Sequence, residues 1–274
     1  MLNLDEIADL TKFSRVNSED NGRNNLSVII LAGGLGKRMC SPLPKVLHKV
    51  LGKPMLVHVL ENALTLSPKM IYIIVGKYET VIRNTLEQYM NIDHIVFVNQ
   101  PEALGTGHAI QCARPHLLSQ PETDRVLILS GDVPLLKSST MKEVMSRTME
   151  PVTIMTSTSE DPTGYGRIIT DSKANFIKIV EEKDCDDQER KINVVNAGVY
   201  AFQIGLLCKY LPLISNNNAQ HEYYLTDLFE IVRQHESIDI GMFHLPIEQG
   251  IELIGINTKE QLEELEAILL LVKT

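Results

Sequence analysis

Short, continuous apolar runs punctuate the chain at positions 27–31, 71–75, 95–98 and 126–129. Each is bounded by Gly, Pro, Asn or Asp, and helix-length segments separate them. Strands that are apolar without alternation are buried on both faces, so this rhythm predicts βαβ units around a parallel sheet. After position 151 the texture changes. Runs at 152–158, 166–170 and 176–180 are β-rich and closely spaced, with Gly164 and Gly166 between them. They predict a mixed or antiparallel segment lying against the parallel half. Amphipathic stretches at 223–235 and 259–271 predict helices flanking a strand near 238–244. Lys53-Pro54 predicts a helix start with proline in the first turn. Residues 1–16 space Leu4, Ile7, Leu10 and Phe13 loosely and suit a short helix, and 17–25 are polar and turn-rich like a linker. The expected fold class is α/β: a mixed, mainly parallel sheet flanked by helices, with a smaller β-rich lobe. The expected organisation is an extension over 1–25 and one continuous two-lobed domain over 26–274.

Composition narrows the function. The 274 residues carry 26 Lys+Arg against 35 Asp+Glu, a net charge of −9. An acidic balance argues against a nucleic-acid or membrane-surface partner. The charge is unevenly placed, however. Positions 21–60 contain no acid but hold Arg23, Lys37, Arg38, Lys45, Lys49 and Lys53. A cationic block in an acidic protein points to a bound anion. Cys40, Cys112, Cys185 and Cys208 have no CxxC spacing, so neither a zinc ribbon nor a redox motif is expected, and dispersed cysteines suit a reducing, cytoplasmic setting. No apolar run is long enough to span a bilayer, and the start lacks the basic and apolar regions of a signal peptide.

The block contains Leu31-Ala32-Gly33-Gly34-Leu35-Gly36-Lys37-Arg38-Met39, directly after the first strand. Three glycines let backbone N–H groups approach anionic oxygens. The dinucleotide fingerprint fails because Met39 stands where its third glycine belongs, and the P-loop fails because Arg38 follows Lys37. Pro42 and Pro44 restrict the backbone ahead of Lys45. Two held cations, Arg38 and Lys45, beside a glycine loop suit a triphosphate. Farther on, Ser130-Gly131-Asp132 ends the fourth strand, where open α/β sheets bind ligands, so Asp132 is a candidate ligand for a hard divalent ion. Gln100 carries both a donor and an acceptor, which matches the imide edge of uracil. It equally suits a surface amide, as Thr106 suits an N-cap.

Residues 31–38 followed by Leu43-Pro44-Lys45-Val46-Leu47-His48 resemble the signature of sugar-1-phosphate nucleotidylyltransferases. The form is closest to the uridylyltransferase domain of bifunctional N-acetylglucosamine-1-phosphate uridylyltransferase/glucosamine-1-phosphate acetyltransferases. Leu104-Gly105-Thr106-Gly107-His108-Ala109, Thr163-Gly164-Tyr165-Gly166-Arg167, Val195-Asn196-Ala197-Gly198, and the segment from Gln220 to Asp227 agree in order over about 26–260. The resemblance implies a Rossmann-like nucleotide-diphospho-sugar transferase fold. It places UTP on Leu31, Ala32, Gly33, Gly34 and Lys45, and uracil on Gln100, Gly105 and Thr106. It places the sugar on Gly166, Glu181 and Asn196, and Mg²⁺ on Asp132 and Asn257, although Asn257 also suits an N-cap for the last helix. Tyr223 and Tyr224 read as architectural. The implied reaction is uridylyl transfer from UTP to N-acetylglucosamine 1-phosphate with release of pyrophosphate, a step of nucleotide-sugar and cell-envelope synthesis, with Arg38 and Lys45 stabilising charge.

The chain departs from this pattern in three ways. Gly33 stands where alanine is common, a change expected to be harmless. Residues 1–25 have no counterpart. No hexapeptide repeats precede Thr274, so acetyl transfer and trimerisation are not carried over, and a monomer or homodimer is expected. Other readings remain open: a different sugar 1-phosphate (glucose or another N-acetylhexosamine), a glycosyltransferase using Asp184-Cys185-Asp186 as a DxD motif, or a non-catalytic nucleotide-sugar sensor.

Overall fold

A computed structural model describes residues 25–34, 36–147 and 149–272. The expectations for residues 1–24 lie outside the described residues. Strand β1 (Leu26–Leu31) is followed by a short hairpin, β2 (Lys49–Val50) and β3 (Lys53–Pro54), and by helix α1 (Met55–Leu64). Then come β4 (Met70–Val75), α2 (Glu79–Leu86), β5 (Ile95–Asn99), α3 (Thr106–Leu117), β6 (Arg125–Ser130) and α4 (Ser138–Ser146). The second half holds β7 (Val152–Thr158), β8 (Arg167–Thr170), β9 (Phe176–Val180), β10 (Val194–Gln203), α5 (Ile204–Tyr210), α6 (Asp227–Glu236), β11 (Gly241–Leu245) and α7 (Lys259–Val272).

Apart from the separate two-stranded β2–β3 sheet, the described strands form one sheet, whose main path is β11-β7-β10-β6-β1-β4-β5. Pairings of β1 with β4 and β6, of β4 with β5, and of β7 with β11 are parallel. Strand β10 runs antiparallel between β6 and β7, and its outer end pairs with β8, which pairs with β9. The β-rich segment therefore extends the same sheet and adds the β8–β9 hairpin, which branches from β10 off the main strand order.

Alternate residues of the apolar strands feed two cores. Val28, Ile30, Ile71, Ile73, Leu127 and Leu129 face one cluster, with Leu56, Val57 and Leu60 of α1 and Met141 of α4. Ile29, Tyr72, Ile74, Val126 and Ile128 face the other, with Ile110 and Ala113 of α3 and Phe229 of α6. Burial on both faces explains why these strands read as unbroken apolar runs. Phe229 also stacks on Phe176, Tyr200 and Phe202 at ring separations of 6.1, 5.1 and 5.0 Å, which seats α6 against the β8–β9 hairpin.

Three local expectations are corrected. Pro54 lies in β3, directly before α1 rather than in its first turn. The stretch beginning at Tyr223 turns helical only at Asp227, because the Tyr223 backbone is bonded across to Leu104 and Gly107. The last strand is Gly241–Leu245. Strand β10 answers to no apolar run read in the sequence.

Candidate active site

From β1 the chain crosses to β4 and β5 on one side, then returns to β6 on the other side of β1. Loops leaving the carboxyl ends of β1 and β6 diverge at that reversal and open a crevice, the general ligand position in such sheets. The glycine loop leaves β1 here. Ala32 donates its N–H to Ile74 O, and Leu31 O accepts from Gly131 N, so the loop starts pinned between both neighbouring strands. Gly36 adopts φ +54°, and a methyl there would stand 2.7 Å from Lys45 Cβ. Glycine thus permits the turn that lays the loop against Lys45.

Four side chains from separate segments meet in the crevice. Lys45 lies on a single 3₁₀ turn, Lys45–Leu47, entered through Pro44. Its ammonium donates to Asp132 Oδ2 and, at 3.0 Å, to Asn257 Oδ1. Arg38, exposed on the turn Lys37–Met39, donates to the same Asn257 oxygen at 3.0 Å. Ser130 holds the other Asp132 oxygen through a 2.5 Å hydrogen bond. Ile256 N donates to Asp132 O, which ties the 256–257 segment to the end of β6. Asn257 is not the cap of α7. Thr258 Oγ1 accepts from Gln261 N while Gln261 Oε1 accepts from Thr258 N, a reciprocal capping box that leaves the Asn257 side chain to the crevice.

The base motif lies beyond the next strand. Gln100 N donates to Val75 O at 2.6 Å. Its side-chain Nε2 reaches Gly105 O at 3.1 Å and His108 Nδ1 at 3.2 Å. Its Oε1 faces the glycine loop, where a methyl on Gly33 would stand only 3.2 Å away. Gly33 therefore gives this carbonyl room, and alanine there would press on it. Gly105 takes φ +110° at the N-cap of α3, with a notional methyl 2.6 Å from Tyr223 O. Thr106 is thus the first helical residue rather than the cap, and its hydroxyl accepts from Leu225 N at 3.0 Å.

Gly166, Glu181 and Asn196 also come together. Gly166 O accepts from Asn196 N at 2.8 Å, and the Glu181 carboxylate lies 3.4 Å from where a Gly166 methyl would be. Asn196 donates from Nδ2 to the Tyr200 hydroxyl and accepts at Oδ1 from Gly198 N, so both ends of its amide are held inside the protein. The segment over 223–226 braces the base and sugar motifs. Tyr223 bonds to Leu104 and Gly107, Leu225 N to Thr106, and the Thr226 hydroxyl donates to Glu181 Oε1 at 2.7 Å. The acids of the DxD-like tripeptide instead hold backbone. Asp184 accepts from Ala219 N, and Asp186 from Gln188 N and Glu189 N.

The Nucleotidyl transferase family matches residues 27–244. The chain belongs to that family. It is 44% identical over 254 residues to a protein of Acanthamoeba polyphaga mimivirus named probable UDP-N-acetylglucosamine pyrophosphorylase, covering 90% of this chain and 99% of that one. It is 43% identical over 247 residues to the bifunctional protein GlmU of Thermoanaerobacter pseudethanolicus, covering 89% of this chain. It spans about half, 51%, of that relative's length. Among solved structures, the inositol-1-phosphate CTP transferase of T. maritima superposes with a TM-score of 0.68 at 15% identity, over 90% of this chain and 96% of that one. HddC of Yersinia pseudotuberculosis, complexed with GMP-PN, superposes at 0.60 and 19%, over 88% and 98%. At such identities the likeness shows the fold.

As a nucleotidyl transferase, the chain binds a nucleoside triphosphate and a sugar phosphate. Two residues that hold candidate side chains escaped the sequence reading, Ser130 on Asp132 and Thr226 on Glu181. Both lie inside quoted motifs, but a hydroxyl carries no pattern of its own. Burial pushes the Glu181 carboxyl up, opposed by the Thr226 hydrogen bond, and the charges of Asp184 and Glu222 raise it further. Asp227 is pushed up to about 6, first by burial and then by Glu181, Asp184 and Glu230. Among the described residues, no helix is long and apolar enough to cross a membrane, and no three His, Cys, Asp or Glu side chains cluster as metal ligands.

Proposed function

We propose that the chain transfers a uridylyl group from UTP to N-acetylglucosamine 1-phosphate, releasing pyrophosphate. The observation that carries this reading is the convergence of Arg38, Lys45, Asp132 and Asn257 at the sheet's reversal point. The 44% identity to the mimivirus pyrophosphorylase over nearly its whole length supports the substrate pair. An oxygen of the sugar phosphate attacks the α-phosphorus of UTP in line. The bond from that phosphorus to the oxygen bridging the β-phosphorus breaks, and pyrophosphate departs. The attacking phosphate is already ionised, so the protein needs no nucleophile or base. Its work is positioning and charge stabilisation. Arg38 holds the departing pyrophosphate, Lys45 the phosphoryl oxygens, and the glycine loop the triphosphate through residues 31–34. Gln100, Gly105 and Thr106 recognise the base. Gly166, Glu181 and Asn196 meet the sugar.

Asp132 and Asn257 suit Mg²⁺. They offer one carboxylate and one amide oxygen, both directed at a common cationic centre, and this ion takes few protein ligands. Bound there, it would neutralise phosphate charge and help align the two substrates. Residues 26–274 act as the catalytic unit, as a monomer or homodimer in the cytoplasm, and the product serves nucleotide-sugar and cell-envelope synthesis.

Pyrophosphate release from a panel of nucleoside triphosphates and sugar 1-phosphates tests this reading. The highest kcat/KM is expected for UTP with N-acetylglucosamine 1-phosphate, and chelation of divalent ions should abolish turnover until Mg²⁺ is restored. Preference for glucose 1-phosphate would overturn the sugar assignment. Full activity after chelation would overturn the metal assignment.

A further inference from the structure

Gln100 can present either a carbonyl or an amino group to a base, and the two choices select opposite partners. The hydrogen bonds around it decide which. Two groups face its nitrogen: Gly105 O at 3.1 Å and His108 Nδ1 at 3.2 Å. The backbone carbonyl can only accept, which draws the amino group to that side, with Oε1 directed at Gly33. The second amide hydrogen is satisfied only if His108 Nδ1 is unprotonated. The ring proton then sits on Nε2, whose neighbour at 4.0 Å is Cys112 Sγ. A thiol sulfur there accepts weakly, and burial keeps Cys112 in that form by pushing its thiol up. The His108 ring is also stacked near Tyr223, with centroids 6.3 Å apart, on the segment that braces Gly105 and Gly107.

We propose that His108 is a positioning residue for base choice: its Nδ1 accepts from Gln100 Nε2 and so locks Gln100 Oε1 as a hydrogen-bond acceptor facing the nucleobase. An acceptor at that point meets the imide N–H of uracil and repels the N3 lone pair of cytosine. His108 itself does not touch the base. The inference rests on the uridylyltransferase reading, in which Gln100 contacts uracil.

The test uses the purified full chain and three substitutions. His108→Leu and His108→Phe remove the acceptor in two shapes that retain apolar packing against Tyr223. His108→Asn keeps a carbonyl acceptor close to the position of Nδ1. Steady-state kinetics with UTP and with CTP, alongside thermal unfolding, are read for each. Without the acceptor, KM for UTP should rise about five- to tenfold with kcat little changed, and preference for UTP over CTP should narrow by a similar factor. His108→Asn should restore both towards wild type. An unchanged KM and preference in either folded acceptor-free variant would overturn the proposal. Equal losses in His108→Asn and His108→Leu would also overturn it, because a packing role alone predicts that. If the wild-type chain does not use UTP, the uridylyltransferase reading fails instead, and that outcome is visible before any variant is made.

Discussion

At the residue scale, the crevice depends on where a few charges are held. Lys45 and Asp132 are mostly buried, with side-chain exposures of 15% and 13%, so their mutual orientation is fixed by surrounding structure rather than by solvent. Such preorganised charge matters most in the transition state. Lys45→Ala is therefore expected to lower kcat by about 10²–10³ with little change in the thermal midpoint, as measured by pyrophosphate release and calorimetry. Asp227 gives a pH prediction. Its folded pKa of about 6 lies above the ordinary carboxylate value, so the folded state binds more protons than the unfolded state between them. Its contribution to stability is full below the unfolded value and is lost as pH rises through about 6. Denaturant midpoints should show Asp227→Asn gaining on wild type between acidic and neutral pH. A constant difference across that range would contradict the assignment. Residue identities in the crevice were legible because Arg38, Lys45 and Asp132 sit at loop positions with known uses. The hydroxyls that hold the candidate carboxylates were not, since Ser130 acts on Asp132 and Thr226 on Glu181 through contacts made only after folding.

At the element scale, burial and long-range hydrogen bonds decide which strands and helices show in the local pattern. The four apolar strands of the first half were legible because burial on both faces writes an unbroken run. Strand β10 was not, because Asn196 and Gly198 interrupt its apolar sequence. The structure uses that interruption as an irregularity between Asn196 and Tyr200, with Gly198 at φ +70°. A glycine that reads as a break in sequence is here a bulge, which aims Asn196 beside Gly166. Helix α6 starts later than its periodicity predicts for a related reason. Helical periodicity extends back to Tyr223, but hydrogen bonds from another part of the chain hold that segment out of the helix. Helix α7 matters through its cap. The reciprocal Thr258–Gln261 pair releases Asn257 for Arg38 and Lys45. Thr258→Ala should cost about 1 kcal/mol in chemical denaturation. It should also lower activity at limiting Mg²⁺ more than at saturating Mg²⁺. Equal activity ratios at both concentrations would separate the cap from the ligand.

At the scale of the whole molecule, the net charge of −9 conceals a division of labour. Of the cations in the acid-free stretch, Arg38 and Lys45 turn into the crevice, while Lys53 pairs with Glu61 at 2.7 Å. The strand order puts that crevice at the reversal between β1 and β6, a position the run of apolar segments does not specify. Arg38 and Asn257 are 219 residues apart in sequence and 3.0 Å apart in space, so only the fold makes them one site. The proposed reaction moves the uridylyl group at this site and leaves the sugar–oxygen bond intact. The direct measurement is the fate of a radiolabel on the α-phosphorus of UTP, followed beside one on the γ-phosphorus, with N-acetylglucosamine 1-phosphate as acceptor. The α label should appear in the nucleotide sugar and the γ label in pyrophosphate, in equal amounts. A nucleotide sugar without the α label, or γ label released only as single phosphate, would contradict it.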